Sequence, residues 1–265
     1  MRSGAYAVPS GGRVELGAAI ERCVAGSLYL QPDELAQLEA HVLSRPPQGT
    51  QTEFVVVNES TLAGANALVR ARQFERVGVL NFASARRPGG GFLNGAAAQE
   101  ESLARSSALY SSLTKHPDFY AAHQHPRDPR YSDRMIYSPD CPVFRDDDGD
   151  LLSEPFAVDF ITSAAPNAGA LSSRVRRAGA NLRAILKQRA GKVLALACAQ
   201  GCDALVLGAW GCGAFRNDPN VVSAVFGDLL LPGGPYFGRF AHVRFSVLDA
   251  SEGQLNLLAF AQRFT

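Results

Sequence analysis

Hydrophobic positions at the start of the chain recur every three or four residues and later gather into short unbroken runs, a change of period that separates helices from strands. Leu16, Ile20, Cys23 and Val24 share one helical face, so the segment from about 13 to 45 is expected to be helical. Within it, Pro32 followed by Asp33 and Glu34 starts a second helix carrying Leu35, Leu38 and Val42. Proline loses no hydrogen bond in a first turn, and acids suit the positive end of the helix dipole. Pro46-Pro47 ends that helix, and the run Phe54-Val55-Val56-Val57 predicts a strand. Ser60-Thr61 caps a helix over 61–72, Val77-Gly78-Val79-Leu80 predicts the next strand, and a helix is expected from Gln99 to about Lys115.

An irregular stretch follows over 117–153, with strands expected at 134–138 and 142–145 and a turn at Asp148-Gly149. Strand 156–163, helix 172–190 with a break at Gly191, strand 204–209, helix 219–230, strand 242–248 and helix 252–263 complete the pattern. Strands alternating with helices predict an α/β fold, a mainly parallel sheet covered on both faces. The expected layout is a helical extension over residues 1–50 packed on one domain over 51–265. Ligands in such folds bind beyond the carboxyl ends of the strands. Two glycine-rich loops are expected there, 84–98 and 208–218.

Composition narrows the chemistry. A chain of 265 residues, 46% of them hydrophobic, can bury one large core. Its net charge of +1 supplies no long-range field for gathering a polyanion, so DNA is not an expected partner. A phosphate-rich ligand would have to be held by local amides and a few arginines. Cys23, Cys141, Cys198, Cys202 and Cys212 form no CxxC pair, and an odd number of cysteines suggests reduced thiols and a cytoplasmic location. The opening MRSGAYAVPSGGRVEL lacks a signal-peptide core, and no apolar stretch matches a membrane span, so no membrane is expected.

The first loop reads Arg86-Arg87-Pro88-Gly89-Gly90-Gly91-Phe92. A glycine triplet can reach positive φ, approach a ligand without Cβ interference, and turn successive N–H groups toward an anion. On its own such a triplet is more often a loose turn. The second loop, Gly208-Ala209-Trp210-Gly211-Cys212-Gly213-Ala214-Phe215, follows an apolar run and precedes a helix, so the two together could clasp a diphosphate. Seven residues after the triplet comes Gln99-Glu100-Glu101, at a helix start. Ordinary capping explains acids there. Glycoside chemistry explains them beside an anion cradle, because one carboxylic acid protonates a leaving oxygen and anionic groups stabilise an oxocarbenium-like transition state. A helix N-terminus favours charged carboxylates, so a working acid there needs its neighbouring carboxylate and the ligand's phosphates to keep its proton.

The spacing GGG-x7-QEE resembles the signature of the poly(ADP-ribose) glycohydrolases, whose fold is a macrodomain. NFASARRPGGGFLNGAAAQEESLARSSALY (81–110), DRMIYSPDCPVF (133–144), DFITSAAPNAG (159–169) and LVLGAWGCGAFRNDP (205–219) are similar to the bacterial-type branch in particular. The resemblance implies a three-layer α/β/α mixed sheet and hydrolysis of the ribose–ribose O-glycosidic bonds of poly(ADP-ribose), releasing ADP-ribose. It implies Glu101 as the catalytic acid and then base, Glu100 as the residue that orients the ribose hydroxyls, and Gln99 as a substrate contact. It also implies that Gly89, Gly90, Gly91, Gly211, Cys212, Gly213 and Ala214 bind the diphosphate through backbone amides. Phe215 would pack near the terminal ribose. Ser84 stands near the place of an asparagine found before the glycine loop in animal members. Fold analogy puts adenine contacts around Asn58–Thr61. No metal and no cofactor are implied. The expected partners are the polymer, ADP-ribose and ADP-ribosylated proteins, with the protein acting as a monomer.

Competing readings are a non-catalytic reader of ADP-ribose and a hydrolase of single ADP-ribosyl groups. The adjacent glutamates argue against the reader, since an anion gains nothing from them, and QEE points to polymer. His123-x-His125 near Cys141 has no carboxylate at ligand spacing and is read as surface rather than metal site. Asp146-Asp147-Asp148-Gly149-Asp150 is read as a hairpin turn, because calcium-loop spacing would put a ligand at Phe144. Cys198 and Cys202 are read as core thiols, Cys212 as useful through its N–H, and Arg174, Arg176 and Arg177 as a solvated basic cluster.

Overall fold

The computed structural model describes residues 4–8, 11–47, 49, 51–124, 128–171 and 181–265. The chain begins with a hairpin of β1 (Ala5–Ala7) and β2 (Arg13–Glu15), then α1 (Gly17–Gly26), β3 (Leu28–Leu30) and α2 (Pro32–Leu43). Next come β4 (Glu53–Val57), α3 (Thr61–Ala71), β5 (Val77–Phe82), α4 (Gln99–Ser106), α5 (Leu109–Thr114) and α6 (Pro117–Ala121). The long strands β6 (Met135–Arg145) and β7 (Leu151–Ser163) are followed by α7 (Leu182–Ala199), β8 (Ala204–Leu207), α8 (Pro219–Leu230), β9 (His242–Ser246) and α9 (Leu255–Phe264).

Seven strands form one sheet in the order β3-β6-β7-β5-β8-β9-β4. β7, β5, β8, β9 and β4 run parallel, while β6 is antiparallel to both β3 and β7. This is the mixed three-layer α/β/α architecture. Side chains alternate between faces along each strand. Leu80, Leu205 and Leu207 enter the core beneath α2, α7, α8 and α9. Val79, Ala204 and Val206 enter the opposite core, beneath α1 and α3–α6. Both faces are covered, which is why the central strands read as unbroken apolar runs.

Four local expectations differ from the structure. The first segment is not purely helical: Leu28-Tyr29-Leu30, set between Gly26-Ser27 and Pro32, pairs with β6 and becomes an edge of the main sheet. The helix expected from Gln99 to Lys115 breaks at Ser107, which bridges to Val143 and whose hydroxyl donates to Leu103 O at 2.6 Å. The strands expected at 134–138 and 142–145 are one strand with an irregularity between Ser138 and Cys141, where Asp140 N–H donates to Asp159 Oδ1 at 2.7 Å. Helix α7 passes through Gly191 without a break. A Cβ at Gly191 would lie 2.5 Å from Glu39 Oε1, so the glycine lets α2 approach. The 172–180 part of the helix expected over 172–190 lies outside the described residues, as do Arg174, Arg176, Arg177 and His125.

Candidate active site

Strand β5 ends in Leu80-Asn81-Phe82 at the carboxyl edge of the sheet, and α4 starts beside it. Gln99 joins the two. Its Oε1 accepts from Phe82 N–H at 2.9 Å and its Nε2 donates to Leu80 O at 2.8 Å, as a neighbouring strand's peptide would. The same Nε2 reaches Thr61 Oγ1 at 3.2 Å. The amide assigned to substrate by resemblance is thus committed to anchoring α4 on β5 and α3.

That anchor places the two glutamates differently. Glu100 points inward and is only 3% exposed. Its Oε2 accepts from Ser84 N–H at 2.7 Å and its Oε1 from Asn81 Nδ2 at 3.3 Å. Asn81, fully buried, also donates to Thr162 Oγ1 at 3.1 Å and leaves its Oδ1 without a partner. Burial pushes the Glu100 carboxyl up to about 8, against the opposing pull of the Ser84 and Asn81 donors. Glu101 is only partly covered and accepts Gly91 N–H at 2.9 Å.

The glycine triplet exists to admit these carboxylates. Gly89 and Gly90 have φ of +65° and +62°, and a Cβ on Gly90 would lie 2.2 Å from Glu101 Oε1. Its amides are spent within the protein. Gly90 N–H closes a turn on Arg87 O at 3.0 Å, Gly91 N–H holds Glu101, and Gly89 N–H faces Glu100. The expectation of a diphosphate cradle at Gly89–Gly91 therefore changes into one of a carboxylate holder. Ser84 serves through its N–H; its hydroxyl accepts from Arg86 and Arg87 N–H, each at 3.3 Å.

The second loop has the free donors. Trp210 is buried with Nε1 on Ser163 O at 3.1 Å, and Asn217 Nδ2 ties Gly211 O at 3.1 Å to Pro166 O at 2.9 Å. At Gly211, φ is +73° and a Cβ would meet Asn217 Nδ2 at 2.5 Å. Cys212 N–H, expected to meet an anion, donates to Ala209 O at 3.0 Å instead. Burial pushes its thiol up to about 12, which leaves no thiolate nucleophile at neutral pH. Among the described residues, the amides of Gly211, Gly213, Ala214 and Phe215 donate to no protein acceptor.

A cleft of about 300 Å³ opens between the loops, walled by Thr61, Phe82, Gln99, Cys212, Gly213 and Ser246. It extends past Glu59 and Ser60, the region where fold analogy put the adenine. Glu59 is held there by Arg244 at 2.6 Å and Ser246 Oγ at 2.8 Å. Glu100 and Glu101 are not among its walls, although Gln99, Ser102 and Leu103 on either side of them in α4 are.

Asn81, which carries Glu100, was not among the residues singled out from sequence. Its signal was one polar residue next to the end of an otherwise apolar strand. His123 is buried, with Nδ1 on Phe119 O at 2.8 Å and Nε2 on Ser132 Oγ at 2.7 Å, so neither nitrogen is open to a metal. Among the described residues no group of three His, Cys, Asp or Glu could hold a metal ion.

Residues 1–146 match the family model for the microbial-type poly(ADP-ribose) glycohydrolase catalytic domain. The chain is 49% identical to the poly(ADP-ribose) glycohydrolase of Thermomonospora curvata crystallised with the inhibitor ADP-HPD. That match covers 99% of this chain and 94% of the other, with a TM-score of 0.92. The enzyme of Deinococcus radiodurans in complex with ADP-ribose is 40% identical over 94% of this chain and 98% of its own, with a TM-score of 0.85. No curated protein sequence matches the chain.

Proposed function

Since the chain belongs to the microbial-type poly(ADP-ribose) glycohydrolases, we propose that Glu101 is the residue that moves the proton in its reaction. The protein is a glycosidase that hydrolyses the ribose–ribose bonds of poly(ADP-ribose) and releases ADP-ribose. The observation that carries the assignment is the contrast between the glutamates. Glu100 is sealed on Ser84 and Asn81, whereas Glu101 rests on Gly91 N–H with its carboxylate partly open. A proton donor must reach the leaving oxygen, and only an accessible carboxyl can.

In this reading, Glu101 as the acid gives its proton to the departing ribose hydroxyl as the bond to the anomeric carbon breaks. Glu101 as the carboxylate then takes a proton from the water that attacks that carbon, and the acid is restored. Glu100, its proton kept by burial, acts on the ribose through its neighbours: it holds Ser84 and Asn81, and so fixes the chain ahead of the glycine loop without placing a second charge beside Glu101. The diphosphate lies on the amides of Gly211, Gly213 and Ala214, which meet no acceptor among the described residues, Phe215 packs beside the ribose, and the adenosine extends toward Glu59–Thr61. The substrate reaches it as polymer on ADP-ribosylated proteins, in the cytoplasm, with the protein acting as a monomer.

Incubation with purified polymer, followed by chromatography of the products, tests this. Glu101→Gln is expected to slow release roughly 10²–10⁴-fold while ADP-ribose still binds. A fully active Glu101→Gln would sink the assignment. Polymer retained by the wild type without release would favour the reader instead.

A further inference from the structure

Tyr131 is a bulky residue held at φ +56°, a left-handed conformation that costs a non-glycine residue roughly 1–2 kcal/mol. Its surroundings are fastened one residue at a time. Tyr131 N–H closes a turn on Asp128 O at 3.1 Å, and Asn167 N–H donates to Pro129 O at 2.7 Å. The Arg189 guanidinium donates to Arg130 O at 3.1 Å and to Ala164 O at 2.6 Å. Ser132 meets His123 Nε2 through its N–H at 3.2 Å and its hydroxyl at 2.7 Å. Asp133 accepts from Arg189 Nε at 3.0 Å and from Lys192 Nζ at 2.6 Å, and all three of these charged residues are buried.

Neither device is a good source of stability. A strained φ opposes folding, and a buried ion cluster loses in desolvation much of what it gains in attraction. Their joint effect is to aim one ring. The Tyr131 ring lies 5.8 Å from that of Phe215 and 5.7 Å from that of His123, edge-on to the latter at 82°. It packs on Ala83, Ala85 and Ala164. Ala83 and Ala85 flank Ser84, whose N–H holds Glu100, and Phe215 belongs to the loop with the free amides. The ring thus touches both halves of the site. Its hydroxyl has no hydrogen-bond partner among the described residues, so the ring is the working part.

We propose that Tyr131 is a positioning residue for hydrolysis, its ring setting the gap between the Ala83–Ala85 segment and Phe215 and thereby the orientation of the ribose beside Glu101. This rests on the glycohydrolase reading above. Misplacement of a reacting group affects the rate more than it affects binding.

The test compares Tyr131→Phe, Tyr131→Asn and Tyr131→Gly with the wild type. It reads kcat and KM on polymer, the Kd for ADP-ribose by calorimetry, and the melting temperature. Asparagine and glycine both accept positive φ, so they remove the ring without adding strain. Tyr131→Phe should stay within about twofold of wild type in kcat. Tyr131→Asn and Tyr131→Gly should lose at least about tenfold in kcat, while KM and the Kd for ADP-ribose move less than about threefold. Wild-type kcat in the ring-less variants overturns the proposal. So does a Tyr131→Phe loss equal to that of Tyr131→Asn, and so does a large fall in melting temperature in both ring-less variants, which would make the ring a structural prop. Absence of ADP-ribose release by the wild type would overturn the underlying reading as well, and so is distinguishable from failure of this inference alone.

Discussion

Replacing Glu100 by glutamine removes an ionisation that the fold opposes. The carboxyl is raised from 4.5 to about 8 by burial, so the folded protein holds this proton over a range in which the unfolded chain has released it. Stability from this source is complete below the unfolded value, and it is lost as pH rises through the folded one. At about 1.4 kcal/mol per pH unit the interval sets a ceiling of about 5 kcal/mol, and relaxation around the charge reduces this to an expected 2 kcal/mol or more. The glutamine fits the same place. Its oxygen can keep the Ser84 N–H, and its NH₂ can meet Asn81 Oδ1, now buried and unpartnered, once the Asn81 amide turns. Thr162 Oγ1 can then donate to that same amide oxygen, since a hydroxyl serves as donor or acceptor. Chemical denaturation of wild type and Glu100→Gln at pH 5, 6.5 and 8 measures the difference in unfolding free energy, in which unrelated titrations cancel. The variant should gain on the wild type by about 2 kcal/mol or more between the first pH and the last. A difference flat to within about 0.5 kcal/mol would refute the claim that burial holds a proton on Glu100.

Two further outcomes follow from the geometry around the pair. Gly90→Ala would set a methyl 2.2 Å from Glu101 Oε1 at a backbone φ of +62°, so the carboxylate must leave Gly91. Steady-state rates should fall at least about tenfold, with about 1 kcal/mol lost in thermal unfolding, and an unchanged kcat would contradict the assigned place of Glu101. Asn81→Asp sets a second carboxyl against Glu100 where a donor stood at 3.3 Å. Its destabilisation in urea should be larger at pH 8 than at pH 5 by about 1 kcal/mol or more, because only at the higher pH do both groups tend to ionise; equal losses at the two pH values would count against the contact.

Much of this could be read before any coordinates. Helix α8 covers the expected 219–230, and its start is set locally: Asp218 Oδ1 accepts from Asn220 N–H at 2.9 Å and Pro219 opens the first turn. The split after Ser106 could not be read, because it depends on Ser107 meeting Val143, a residue brought there by the sheet. Gly191 looked like a helix break for a similar reason; the Glu39 carboxylate that requires a glycine there comes from α2.

The chain's own residues determined the α/β alternation, the two glycine loops at strand ends, and the GGG-x7-QEE spacing that marks the family, since these depend on local period and local chemistry. Which donors remain for a ligand was decided only in three dimensions. The triplet's amides turned inward to carboxylates, Gln99 was drawn into pairing with β5, and the free amides were left to the second loop. The same holds for the division of labour between adjacent glutamates. Neighbours on a helix point in different directions, and only the packing of α4 against Asn81 and Ser84 determines which carboxyl is buried and which stays in reach of a substrate.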